Sequence, residues 1–284
     1  MSRPALRKVL CLATPDSAAA GEAVLKLRRE LSDAGLEVTG SAGEGAAEGA
    51  GLVILLGGDG FLMESVRHLG YTPTPIFGVN FGTVGFLMNT KECLQNLVSM
   101  VKAWSFREEG HPLLEARVVL EDGGERRMLA FNDFVVERMM RQGLRLEVYL
   151  DDVPFNSFAG DGFVVSAAAG STAYNLAARG PVVHPAVKVL IVTPLYPHRA
   201  APFHSLQFSL LVPLESRLRI HALDLPKRGM RVVGDGEAVD RVRRVEVADS
   251  GRAVNLLRPL DHHFVKTLSR KFMGVPTEFY GRGS

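Results

Sequence analysis

The sequence predicts an α/β N-terminal doubly wound domain followed by a mainly antiparallel β-sandwich C-terminal domain. Strand and helix patterns alternate up to about residue 110, and beyond it apolar residues recur at every second position. Alternating strands and helices favour a parallel sheet, whereas short alternating strands favour an antiparallel one. We therefore divide the chain into domains at 1–110 and 111–256. Residues 257–284 form a helical tail that we expect to pack on the first domain.

The first domain is predicted from buried strands separated by helices. Residues 7–13 and 52–56 are largely apolar runs, typical of strands covered on both faces of a parallel sheet. Between them, Val24, Leu27 and Leu31 recur at helical spacing, and a glycine follows as a stop signal. A helix from about residue 61 and a strand at 75–79 continue the same rhythm.

The second domain is predicted from alternation with a period of two. In residues 144–150, leucine and valine alternate with charged and polar residues, and residues 217–222 show the same pattern. Turn signals such as Asp122-Gly123-Gly124 separate these runs. The pattern becomes helical again at about residues 262–273.

Composition places the chain among ordinary globular proteins. Its 284 residues are 46% hydrophobic and 23% charged, with a formal net charge of +2. That charge gives no support for binding to nucleic acid or to an anionic membrane. The sequence shows no signal-peptide pattern and no long apolar span, so we expect a cytoplasmic protein. Its two cysteines form no metal-binding or disulfide pattern.

A glycine-rich turn around one carboxylate follows the apolar run at 52–56. It reads Gly57-Gly58-Asp59-Gly60. Glycines allow another group to approach the backbone closely, and the aspartate would stand where the sheet opens to solvent. By itself the turn fits either a phosphate-binding site or a strand–helix connection capped by aspartate.

A second glycine-rich turn, residues 78–86, follows the next predicted strand. Ligands of open α/β sheets bind at the carboxyl ends of the strands, so two such turns after neighbouring strands predict one crevice. Neither turn has the G-x-G-x-x-G pattern of dinucleotide-binding folds, and no P-loop motif is present.

A third candidate region begins with a strand at 161–166 and continues into Gly170-Ser171-Thr172-Ala173-Tyr174-Asn175. We expect Ser171 and Thr172 to cap a helix that runs to about Arg179, with hydroxyls and free N–H groups facing a ligand. A crossover helix without a ligand fits the same pattern.

These segments together resemble the NAD kinase family. The turn at 57–60, the segment 80–87, Asn132-Asp133 and the block from Asp161 to His184-Pro185 occur in the family's order and spacing. The resemblance covers about residues 50–200. It implies the NAD kinase/diacylglycerol kinase-like fold, and phosphoryl transfer from ATP or polyphosphate, with Mg²⁺, to the 2′-hydroxyl of the adenosine ribose of NAD.

The resemblance also assigns roles to individual residues. Asp59 corresponds to the proposed general base, and its glycine neighbours would hold the donor phosphates. Asp161 corresponds to an aspartate at the nicotinamide end that a neighbouring subunit contributes, so a homodimer or homotetramer is implied. The remaining residues that match NAD contacts of the family are Phe86, Asn132, Asp133, Thr172, Ala173, Tyr174 and Ala177.

Several residues depart from the family's usual pattern. Phe61 stands where threonine is commonest, and Asp133 stands in place of glutamate. Ala169, Ala177 and Arg179 also differ, Arg179 occupying a position where glycine is common. These departures leave open the affinity for NAD and the choice between NAD and NADH.

Three other functions remain as alternatives. A lipid or sphingoid-base kinase would need an apolar acceptor channel, which the polar residues at 132–133 and 171–172 disfavour. A sugar-phosphate kinase would show clustered arginines for a phosphorylated acceptor. A non-catalytic nucleotide sensor would be favoured if Asp59 were missing, and it is present.

Overall fold

The computed structural model describes residues 6–41, 43, 45–82, 85–199, 201–225 and 227–273. The chain divides into two compact units. Unit 1 comprises Met1–Gly110 together with Val254–Ser284, and unit 2 comprises His111–Ala253. Residues 274–284 of the predicted tail lie outside the described residues. None of the helices in the described ranges is long and apolar enough to cross a membrane.

Unit 1 contains a parallel sheet with helices. Its strands are β1 (Lys8–Ala13), β2 (Glu37–Thr39), β3 (Leu52–Gly57) and β4 (Ile76–Asn80), and its helices are α1 (Ala18–Asp33), α2 (Asp59–His68) and α3 (Leu97–Ala103). The strand order is β2-β1-β3-β4, and the end of a later strand pairs with β4 through Leu256. All six residues of β3 are buried, as its apolar sequence predicts.

Helix α1 shows how sequence and packing agree in unit 1. The Ser17 hydroxyl accepts a hydrogen bond from the Ala20 N–H at 3.2 Å and caps the first turn. Val24, Leu27 and Leu31 form its buried face, which packs on the same core as β3. Burying each such side chain contributes about 1.5–3 kcal/mol.

Unit 2 is built from antiparallel strands. Those in chain order are β5 (Phe106–Leu120), β6 (Glu125–Ala130), β7 (Asp133–Arg138), β8 (Leu144–Leu150), β9 (Val153–Gly160), β10 (Gly162–Ser166), β11 (Val189–Leu195), β12 (Leu210–Pro213), β13 (Leu218–Leu223), β14 (Met230–Gly234) and β15 (Glu237–Pro259). The first residues of β5 and the last of β15 belong to unit 1.

Strand β15 joins two groups of strands in unit 2. One group runs β12-β11-β10-β7-β14-β15, and the other contains β9, β8 and β13, of which β13 also pairs with β15. Inward-facing residues of both groups share one core, including Val136, Phe163, Leu146 and Ile220. The predicted α/β plus antiparallel β fold class is confirmed.

Two short helices complete the fold. Helix α4 (Tyr174–Ala177) lies in unit 2, and α5 (Phe264–Leu268) lies in unit 1. The α-helix predicted at 262–273 is shorter than expected. It ends at Leu268, and a wider π-type turn continues over Ser269–Met273.

Candidate active site

The Gly57–Gly60 turn lies where β3 passes into α2, as the sequence predicts. Strands β3 and β4 are parallel neighbours with Gly57 opposite Asn80. The Phe81 N–H donates to the Gly57 carbonyl at 2.6 Å, so the second turn begins beside the first. Residues 83 and 84 of that second turn lie outside the described residues. A Cβ on Gly57 would come within 2.6 Å of the Phe61 ring, so Phe61 packs directly on this glycine.

The start of α2 is open. A Cβ on Gly58 or on Gly60 would meet no atom of the described part of the chain within 4 Å. Gly58 is the N-cap residue, and no side chain outside the undescribed positions caps the helix. The first N–H groups of a helix carry partial positive charge and bind anions when they are accessible. This turn therefore has both the space and the polarity to hold a phosphate group.

The Asp59 carboxylate holds the backbone of the second turn. Its Oδ2 accepts a hydrogen bond from the Phe86 N–H at 2.7 Å, and its Oδ1 accepts one from the Leu87 N–H at 3.1 Å. A Cβ on Gly85 would collide with this carboxylate, so only glycine fits there. Each carboxylate oxygen has a further lone pair that can receive a proton or a hydrogen bond.

Arg258 binds the backbone carbonyls of the same two residues, Phe86 and Leu87. Its guanidinium donates to the Leu87 carbonyl at 2.8 Å and to the Phe86 carbonyl at 3.3 Å. Arg258 is only 2% exposed, and its Nε lies 2.9 Å from a carboxylate oxygen of Glu109. Sequence reasoning missed this residue, because its partners are 149 to 172 positions away and no local pattern marks it.

Phe86 is covered by the C-terminal segment of unit 1. Its ring centroid lies 5.3 Å from that of Phe272, and the Lys271 ammonium lies 4.2 Å from the Phe86 centroid. Phe86 is consequently 8% exposed. A base that stacked on this covered side of Phe86 would have to displace Phe272 and Lys271.

In unit 2, Asn132 and Asp133 form the corner between β6 and β7. The Oδ1 atom of Asn132 is buried and has no hydrogen-bond partner among the described residues. Asp133 is 8% exposed. Burial, and then the charge of Asp235, raise the pKa of the Asp133 carboxyl to about 7.

The prediction that Ser171 caps a ligand-facing helix is wrong. Ser171 is fully buried, and its hydroxyl donates to the Val183 carbonyl and accepts from the Val183 N–H. Asn175 is also buried and donates to the carbonyls of Ser171 and Pro181. These bonds tie the segment to the loop at 181–183, so a 3₁₀ turn at Ala169–Thr172 and the short α4 replace the expected helix.

Two of the other predicted NAD residues of this segment line cavities of unit 2. Thr172 and Ala173 are half-buried and precede α4, whereas Tyr174 and Ala177 are exposed. Both of the exposed residues line a cavity of about 430 Å³. Burial first, and then the charges of four neighbours, raise the pKa of the Tyr174 phenol; those neighbours are Glu137, Tyr196, Asp133 and Asp161.

Asp161 lies at the corner between β9 and β10. One of its carboxylate oxygens is 2.7 Å from Nε of Arg138, and both side chains are partly exposed. They line a second cavity, of about 410 Å³, together with Tyr174. The next residue, Gly162, has φ 139°, and a Cβ there would collide with the Val136 carbonyl. A glycine is therefore required directly after Asp161.

Comparisons with known proteins decide the family. Residues 10–104 match the model of the ATP-NAD kinase N-terminal domain, and residues 132–258 match that of the ATP-NAD kinase C-terminal domain. An NAD kinase of Ralstonia nicotianae is 33% identical over 239 residues, which cover 82% of this chain and 77% of the relative. The chain belongs to the NAD kinase family. An NAD kinase of Wolinella succinogenes is 30% identical over 94% of this chain and 95% of its own length.

Solved structures confirm the fold. A yeast NADH kinase complexed with NADH superposes with a TM-score of 0.82 at 20% identity, over 97% of this chain and 89% of the yeast chain. An NAD kinase from Archaeoglobus fulgidus in complex with ATP superposes with a TM-score of 0.76 at 22% identity, over 95% of this chain and 100% of the archaeal one.

Two of the departures from the family pattern, Arg179 and Phe61, have local explanations. Arg179 has φ 65°, the left-handed conformation that glycine adopts most readily, which explains why glycine is common at this position. Phe61 packs on Gly57, whereas Gly60 stays exposed. Nothing in the structure explains Ala177.

Proposed function

We propose that the chain transfers the γ-phosphoryl group of ATP to the 2′-hydroxyl of the adenosine ribose of NAD, giving NADP. The observation that carries this proposal is the open, uncapped start of α2, where a carboxylate stands between two glycines with free space above them. Membership of the NAD kinase family supports the same reaction.

The donor half of the proposal rests on unit 1. Backbone N–H groups at Gly58, Asp59 and Gly60 would bind the phosphates of ATP. No group of three His, Cys, Asp or Glu side chains in the described ranges could hold a metal ion by itself. Mg²⁺ commonly binds through substrate phosphates, so we expect it to arrive with ATP. When bound, the ion neutralises phosphate charge.

The acceptor half rests on polar groups of unit 2. The Asn132 amide and the Asp133 carboxyl would hold the sugar hydroxyls, and Thr172, Ala173, Tyr174 and Ala177 would line the dinucleotide. Asp161 would meet the nicotinamide end, and the active protein would be a homodimer or homotetramer in the cytoplasm. The unpaired Asn132 Oδ1 supports this assignment, because buried polar atoms without a partner are rare unless a ligand or water completes them.

Asp59 performs the proton transfer in this proposal. Its carboxylate accepts the proton of the 2′-hydroxyl, and the hydroxyl oxygen forms a bond to the γ-phosphorus. The bond from that phosphorus to the β–γ bridging oxygen breaks, and ADP leaves. A ribose hydroxyl is a weak nucleophile at neutral pH, so a positioned base contributes about 10²- to 10⁴-fold to the rate.

A panel of donors and acceptors separates this function from its rivals. The purified chain is incubated with Mg²⁺ and either ATP or polyphosphate, and with NAD, NADH, sphingosine, diacylglycerol or fructose 6-phosphate. We expect phosphorylation of NAD or NADH alone. Phosphorylation of a lipid or sugar, or nucleotide binding by the folded protein without any product, would contradict the proposal.

Asp161→Ala is expected to weaken binding of NAD about tenfold and to leave binding of ATP unchanged. The variant removes a charge-assisted hydrogen bond to the carboxamide, and such bonds contribute about 1.5–3 kcal/mol. Isothermal titration with each nucleotide measures the difference. Asp152→Ala is the matched control, because Asp152 also pairs with arginines in unit 2 but lies on an exposed hairpin. Equal losses for NAD and ATP would exclude the assignment.

A further inference from the structure

The turn between β14 and β15 carries a carboxylate that the turn itself does not need. Asp235 and Gly236 have φ values of 45° and 89°, and Gly234 pairs with Glu237 across them. Asn-Gly and Asp-Gly are both favoured in two-residue hairpin turns of this kind. The turn geometry therefore accepts either residue and makes no use of the negative charge of aspartate.

The Asp235 side chain binds two backbone groups at the β6–β7 corner. Its Oδ2 accepts a hydrogen bond from the Phe131 N–H at 2.6 Å, and its Oδ1 accepts one from the Asn132 N–H at 3.0 Å. Asp59 holds two consecutive N–H groups of unit 1 in the same way. In each case the segment so held carries residues assigned to NAD.

The corner that Asp235 holds contains unsatisfied polar atoms. Among the residues that the structure describes, neither the buried Asn132 Oδ1 nor the buried Ser166 hydroxyl has a hydrogen-bond partner, and Ser166 lies opposite Asp133 in the β7–β10 register. A Cβ on Gly170 would collide with the Asn132 carbonyl, so the backbone at this corner has little freedom to move. Buried polar atoms left unpaired in a rigid frame indicate a ligand-binding position.

We propose that Asp235 is a positioning residue for NAD. Its carboxylate fixes the Phe131–Asn132 backbone, so that the Asn132 amide and the Asp133 carboxyl face the sugar hydroxyls. Its negative charge also repels a negative charge on the Asp133 carboxyl. This inference rests on the proposed function, because it assumes that Asn132 and Asp133 bind the dinucleotide.

The charge of Asp235 has a consequence for pH dependence. Burial, followed by Asp235, raises the pKa of Asp133 to about 7. The other described titratable group that interacts electrostatically with Asp133 is the Tyr174 phenol, on α4. The ionised carboxyl accepts strong hydrogen bonds from sugar hydroxyls at both oxygens, whereas protonation turns one oxygen into a donor and weakens the other as an acceptor. Binding of NAD should therefore strengthen as the pH rises through about 7.

The test measures KM for NAD between about pH 5.5 and 8.5 in the wild type and in Asp235→Asn. Removing the like charge lowers the pKa of Asp133, and we expect the midpoint of the KM profile to move down by roughly one pH unit. At high pH, kcat should change less than KM. Glu237→Gln removes the same charge from an exposed side chain two residues later and should leave the midpoint in place.

Two outcomes would overturn the inference. One is an Asp235→Asn variant that loses activity equally at every pH with an unmoved midpoint, which indicates a purely structural role. The other is a midpoint that persists in Asp133→Asn, which assigns the titration to another group. Asp133→Asn also provides the test if Asp235→Asn fails to fold. A wild type that makes no NADP at any pH refutes the proposed function itself, whereas an active wild type with an unmoved midpoint refutes only the role of Asp235.

Discussion

Asp59→Asn is expected to lower kcat for NADP formation by about 10²- to 10⁴-fold, with little change in the Kd for NAD. Asparagine has nearly the shape of aspartate but cannot accept the hydroxyl proton. Its amide nitrogen also cannot accept the second of the two N–H bonds from Phe86 and Leu87. Steady-state kinetics together with isothermal titration measure both effects.

Controls separate the loss of the base from disturbance of the turn. Asp33→Asn changes an exposed aspartate at the end of α1 and should leave kcat unchanged. A thermal melt of Asp59→Asn shows whether the loss of one backbone bond unfolds unit 1. Turnover within about threefold of the wild type would remove Asp59 from the role of general base, since that role is worth at least about 10²-fold.

Arg258→Met is expected to lower the free energy of unfolding by about 3–5 kcal/mol. The variant removes every hydrogen bond to the Phe86 and Leu87 carbonyls that Arg258 supplies and leaves the mostly buried Glu109 without this partner. Activity should fall as well, because Asp59 holds the N–H groups of the same two residues. Chemical denaturation measures the change in stability.

The double variant Glu109→Gln/Arg258→Met tests why Arg258→Met loses stability. Removing the Glu109 charge should recover part of the stability, since in Arg258→Met this largely buried carboxylate loses its buried partner and keeps the more exposed Arg107, 3.1 Å away. Arg243→Gln, on an exposed part of β15, should change stability by less than about 0.5 kcal/mol. If Arg258→Met lowered the free energy of unfolding by less than about 1 kcal/mol, the contacts of Arg258 with the Phe86 and Leu87 carbonyls would not be important for stability.

Most of the fold could be predicted because its elements have strong local patterns. The buried strand β3 and the alternating strand β8 were predicted within a residue of their observed bounds. Each depends on a hydrophobic period that a few neighbouring residues establish. The helix expected at 171–179 failed because buried side chains of Ser171 and Asn175 bond to the loop at 181–183, and tertiary contacts of this kind override local propensity.

The candidate site was predictable only where short motifs mark it. The Gly57–Gly60 turn and the β3–β4 pairing follow from adjacent residues. Arg258 and Asp235 act on backbone groups more than 100 positions away, and neither stands in a pattern that names its partner. Such contacts arise because the fold brings distant backbone polar groups into burial, where they must be paired. The spacing of residues in the sequence does not predict such pairing.

Phosphorus NMR of the reaction product tests the central claim most directly. Purified wild-type chain is incubated with NAD, ATP and Mg²⁺, and the dinucleotide is recovered and compared with authentic NADP. The account predicts a new monoester phosphorus signal identical to that of the 2′-phosphate of NADP, which appears in step with ADP and is almost absent with Asp59→Asn. A folded wild type that binds NAD and ATP yet leaves the ribose unphosphorylated would contradict it.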